Sequence, residues 1–250
     1  MENRVVRLVT VDDGDRLQVR GAVEDRFHHF RVWADCDLAT GTVAAAGVDA
    51  VRFPYTGCPA AGERLALLAG APLAPRASAY FRDLDPRQQC THQLDTLALA
   101  LALGARGVRQ RRYDMRVELD GDATHGQLWQ DGKPLLEMTL DGTTILSPPR
   151  FAGRDLGSGF TGFVATLDPE EADAALALRR MVFVAQASAM NPQLDEMAHA
   201  PITGGCWVQQ PENALRVARL NNAHPLGTGL DALAIDDDAF LMNGVSAGSR

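Results

Sequence analysis

Apolar and polar positions alternate with period two over much of the first third of the chain, the mark of half-buried β-strands. Residues 4–9 are extended in character, Asp12-Asp13-Gly14-Asp15 signals a turn, and residues 16–20 alternate again. Residues 27–34 continue the pattern, and Ala39-Thr40-Gly41 turns the chain into a further strand over 42–53. This predicts an antiparallel meander. A second meander is expected over residues 112–119, 125–130 and 135–140, with turns at Asp120-Gly121, Asp131-Gly132 and Asp141-Gly142.

Elsewhere the period lengthens to that of a helix. A short helix is expected from Pro59 through Leu68, with Gly70 past its end. Residues 90–103 read CTHQLDTLALALAL. Thr91 is the expected N-cap. Leu94, Leu97, Ala98 and Leu101 share a face, and Leu99 and Leu103 fill much of the rest, which predicts a buried helix. Cys90 and His92 then sit beside free backbone N–H groups at the positive end of its dipole, a setting that lowers a thiol pKa and disfavours imidazolium. Asp168, Pro169 and Glu171 open a long helix running to about Met190, and Pro211 opens a shorter one through Arg219. The fold class is α+β: an antiparallel sheet from two meanders packed against several helices. Residues 1–230 form a single domain, and residues 231–250 form a loosely ordered tail.

Composition narrows the function classes. The formal net charge of -8 argues against nucleic acid or an anionic membrane surface as partner. The longest apolar run, residues 96–104, is about half of what a membrane span needs. The start of the chain has no signal-peptide pattern, and the four cysteines at 36, 58, 90 and 206 show no paired spacing, which points to a reducing, cytoplasmic setting. A homo-oligomer stays open. No GxGxxG, P-loop, GxSxG or HExxH pattern occurs, so no cofactor is expected.

Three groups of residues could carry chemistry. The first pools Asp25, His28, His29, Cys58, Cys90 and His92, types that bind metals or form nucleophile–base pairs. In a strand, His28 and His29 face opposite ways, so at most one joins a site. If a metal is bound, its ligands come from Asp25, His28, Cys58, Cys90 and His92. The second is Arg112-Tyr113-Asp114-Met115-Arg116, either a self-paired solvated face or an anion clamp, with Tyr113 a proton donor or a core residue. The third is the Pro/Gly loop 147–160 with Arg150 and Phe160. Tyr55 is a candidate pocket wall, and of Arg179 and Arg180, mid-helix, one must point inward.

In order, Glu24-Asp25-x-Phe27-His28-His29-Phe30, residues 53–59 (FPYTGCP), Cys90-Thr91-His92, residues 112–115 (RYDM), Pro148-Pro149-Arg150, Gly153 and Gly159-Phe160 resemble the bacterial family catalogued as domain of unknown function twenty-eight eighty-nine, over roughly residues 16 to 220. The resemblance implies catabolism of aromatic compounds, including lignin-derived biaryls. It also implies a cofactor-free carbon–carbon lyase that releases formaldehyde by a retro-aldol type step from a small aromatic substrate. In that chemistry His92 is the base, Tyr113 the acid or phenol partner, and Arg112, beside Asp114, or Arg150 the anion clamp. Trp33, Tyr55, Phe160 and His29 line the substrate. The alternatives are a metal-dependent hydrolase or lyase with an Asp/His/Cys site, and a non-catalytic small-molecule binding module.

Overall fold

The computed structural model describes residues 1–82, 84–233 and 236–242. Its strands are β1 (Glu2–Asp12), β2 (Arg16–Asp25), β3 (His29–Asp37), β4 (Thr42–Arg52), β5 (Gln110–Asp120), β6 (Ala123–Gln130), β7 (Lys133–Asp141) and β8 (Thr144–Ser147). They form one antiparallel sheet in the order β4-β3-β2-β1-β5-β6-β7-β8. Val6 pairs with Val23 on one side and Tyr113 on the other, so the β1–β5 pairing makes a single sheet of all eight strands. The helices are α1 (Cys58–Ala61), α2 (Thr91–Ala105), α3 (Phe160–Val164), α4 (Pro169–Ala189), α5 (Asn191–Asp195), α6 (Pro211–Ala214) and α7 (Asp238–Met242). The architecture is α+β. Among the described residues no helix is long and apolar enough to cross a membrane.

Alternation sends Val6, Leu8, Val19, Val23, Phe30, Val32, Tyr113, Met115, Leu128 and Met138 to one face of the sheet, where they form the core. Two helices cover that face. Helix α2 lies over β1, β2 and β3, and α4 lies over β5, β6 and β7. Both approach over glycine: a Cβ on Gly21 would stand 3.0 Å from Thr96 of α2, and one on Gly126 would stand 3.2 Å from Leu178 of α4. Leu94, Leu97, Ala98, Leu101, Leu99 and Leu103 are all buried, so α2 is enclosed on nearly every side.

Several local expectations need correction. Helix α2 begins at Thr91 itself. Cys90 is the cap residue, and no side chain caps the end. The helix expected through Arg219 stops at Ala214, because residues 218–220 pair with the loop before α1: Thr56 N–H donates to the Ala218 carbonyl at 3.0 Å, and Leu220 N–H to the Pro54 carbonyl at 2.9 Å. Within the tail, the described residues are packed. Asp237 is fully buried, α7 lies against β1 and β2, and Leu233 packs on Val5. Positions 234, 235 and 243–250 lie outside the described residues.

Candidate functional site

The site starts in the turn between β2 and β3. Asp25 ends β2, and its Oδ1 accepts the backbone N–H groups of Phe27 and His28, each at 2.9 Å. Aspartate commonly forms turns in this way. The same oxygen accepts from His28 Nδ1 at 3.0 Å, so Nδ1 carries the hydrogen. Oδ2 accepts from Arg4 Nη1 at 2.6 Å. Arg4 and Asp25 are opposite each other in the β1–β2 register, both on the core face and both buried. A buried ion pair of this kind contributes little net stability.

Because residues 26–28 form the turn, strict alternation does not apply to them, and Phe27 and His28 both turn toward the start of α2. There the His92 ring stacks on His28, with centroids 3.7 Å apart and planes 21° from parallel. His92 Nε2 is buried and has no hydrogen-bond partner among the described residues. Burial, then the neighbouring His28, Arg4 and Arg180, hold His92 well below the ordinary histidine value, so it is neutral near pH 7. Burial also disfavours ionisation of Asp25, but His28, Arg4 and the Phe27 N–H outweigh it and hold the carboxyl below the usual carboxylate range.

His28 and His92 form part of the wall of a cavity of about 530 Å³. Phe27, Tyr55, Cys58 and Cys90 continue that wall, and Arg180, Phe183, Val184 and Ala187 form a stripe on α4 facing it. Arg180 Nε donates to Asp95 at 2.6 Å, and Asp95 lies one helical turn after His92 on α2. The Arg219 guanidinium stands 5.2 Å from the Tyr55 ring centroid and 5.8 Å from that of Phe27, and its Nε donates to Asp195. Both thiols are the reverse of what a helix N-terminus alone suggests. Burial pushes Cys58 well above the ordinary thiol value and Cys90 up to about 12, so desolvation outweighs the dipole.

Of the residues singled out from the sequence, the structure brings together His28, Tyr55, Cys58, Cys90, His92, Arg179 and Arg180 on the cavity wall, with Asp25 behind His28. The other residues expected to act in catalysis or to line the substrate do not line this cavity. Tyr113 faces the core from β5, 1% exposed. Arg112 and Asp114 lie on the other face of β5 and pair with each other at 2.8 Å. Trp33 lies on the outer face of β3 across from Gly47. Phe160 is buried among Phe151 and Phe163, and Arg150 pairs with Glu171 beside a separate recess. His29 faces away from His28 and hydrogen bonds to Asp237 through Nε2 at 2.8 Å. The alternation rule separates residues by face, but it does not show which end of a strand meets the mouth of α2. Arg4 went unassigned, though it is in phase with the inward Val6 and Leu8. Of the mid-helix pair Arg179 and Arg180, expected to send one side chain inward, Arg180 pairs with Asp95 on the cavity wall.

Asp25, His28 and His92 each place one potential ligand atom within 4.8 Å of the others. Cys58 and Cys90 share the cavity wall without joining that cluster. The stacked rings oppose a shared ion: an imidazole lone pair lies in its ring plane, and two nearly parallel planes do not converge on one point. No protein-family model matches the chain, and no curated protein matches it.

Proposed function

We propose that this protein is a lyase that cleaves a carbon–carbon bond in a small aromatic compound and releases formaldehyde, with His92 as the general base. The observation that carries this reading is the neutral His92 imidazole on the cavity wall, stacked on a His28 that the Asp25–Arg4 pair holds in place. The cavity volume suits a compound of one or two rings, and Phe27, Tyr55, Phe81 and Phe183 supply an apolar wall. The family resemblance points to the same class of substrate.

In the proposed step, His92 takes the proton of a hydroxymethyl group. The oxygen electrons form the carbonyl of formaldehyde as the carbon–carbon bond breaks. The freed pair passes to the adjacent carbon, where a conjugated acceptor of the substrate holds it until the proton returns from His92. The Asp25 carboxylate behind His28 stabilises the positive charge formed on the imidazole pair. Tyr113, Arg112, Asp114 and Arg150 have no part in this step.

His92→Ala is expected to fold normally, by circular dichroism and melting, and to lower formaldehyde release from phenolic hydroxymethyl substrates by roughly 100-fold to 10,000-fold. Unchanged turnover in the folded variant refutes the assignment. The metal reading rests on the Asp25, His28 and His92 cluster and has its own test. About one transition metal per purified chain, with activity lost to a chelator, replaces the acid–base step with a metal-assisted one.

A further inference from the structure

Arg180 is the one strongly basic side chain that helix α4 presents beside His92 with donors to spare. Its Nε is committed to Asp95 at 2.6 Å, and among the described residues nothing accepts from its two terminal nitrogens. The side chain is 15% exposed and stands on the cavity wall. Its neighbour Arg179 differs: its Nε and Nη2 donate to the Leu156 and Gly157 carbonyls. Asp95 fixes the orientation of the Arg180 fork, and the wall keeps an excess of positive charge. Arg87, Arg179, Arg180 and Arg219 line it against Asp85 and Asp95.

We infer that Arg180 is an anion-binding subsite and that the compound taken into this cavity is an aromatic carboxylate. Two terminal N–H groups in one plane match the two oxygens of a carboxylate. A phenol, with a pKa near 10, is neutral at pH 7, whereas an aromatic acid is ionised and gains the full charge-assisted pairing. The inference rests on the cavity being the substrate site, as the proposed function holds, and it does not depend on which bond is cleaved there.

The test therefore reads binding. 4-Hydroxybenzoate and its neutral analogue 4-hydroxybenzamide are titrated into the full chain at pH 7 by calorimetry, with His92→Ala measured in parallel. The acid is expected to bind roughly 10-fold to 100-fold tighter than the amide, in wild type and in His92→Ala alike. Arg180→Gln removes the preference, Arg180→Lys keeps part of it, and Arg112→Gln, on the outer face, leaves it intact. Equal affinity for acid and amide, binding of neither, or a preference that survives in folded Arg180→Gln overturns the inference. If Arg180→Gln does not fold, the acid–amide comparison in wild type and in Arg180→Lys decides. Loss of formaldehyde release with the acid preference intact counts against the lyase reading and leaves the subsite standing.

Discussion

At the scale of single residues, His92 and Asp173 leave opposite marks on stability against pH. Burial keeps folded His92 well below the ordinary value of 6.5, so below about pH 6.5 the unfolded chain holds a proton that the folded chain lacks. Stability is therefore expected to fall on acidification from that point. Burial, only partly countered by Arg106, raises Asp173 from 3.8 to about 6. Between those values the folded chain holds the extra proton, so Asp173 adds stability as pH drops. Melting temperatures from pH 7.5 to 5 should show a shallower acid-side decline in His92→Gln than in wild type, and a steeper one in Asp173→Asn. Parallel curves for His92→Gln and wild type would show that His92 is not buried neutral.

At the scale of elements, the site depends on how a turn, a helix start and a short 3₁₀ segment lock together. Gly62 opens the segment Gly62–Leu68, and its backbone conformation is ordinary. Space is what requires glycine: a Cβ there would stand 2.0 Å from Val48 Cγ1 of β4. Gly62→Ala is expected to cost about 1–3 kcal/mol in chemical denaturation. Val48→Ala in the same chain should recover part of that cost, and a double-mutant cycle with no coupling would argue against the contact. The helix that starts after Cys90 and contains His92 was readable because its apolar positions fill nearly every face. The hairpin before it was readable from alternation, but its turn was not, because Asp25 forms the turn through its own side chain and so brings Phe27 and His28 to the same side.

At the scale of the whole molecule, the two faces of the sheet have different tasks. The inner face carries the core and the cavity. On the outer face, Asp237 accepts from Arg31 Nε at 2.7 Å and pairs with His29, Glu24 joins Arg52 and His224, and Phe240 lies beneath Arg20 and Arg31. Asp237→Ala is expected to loosen residues 236–242, seen as lost amide-exchange protection, and to lower global stability by about 1–3 kcal/mol. Ligand binding in the cavity, on the far face, should persist. Protection unchanged in the variant would mean that apolar contacts alone hold the segment.

Periodicity and turn chemistry are local properties, and they were enough to specify antiparallel strands, a buried helix with Cys90 and His92 at its start, and an α+β fold. They were also enough to pool Asp25, His28, Cys58, Cys90 and His92, because those residues stand near element ends. Which histidine enters the cavity, that Arg4 stands behind Asp25, and that Arg180 reaches Asp95 from 85 residues away were decided only by packing. Convergence of that kind follows from how β1 joins β5 and how α2 and α4 settle side by side on the sheet. Those placements reflect many weak contacts between distant segments, and no short stretch of sequence contains them.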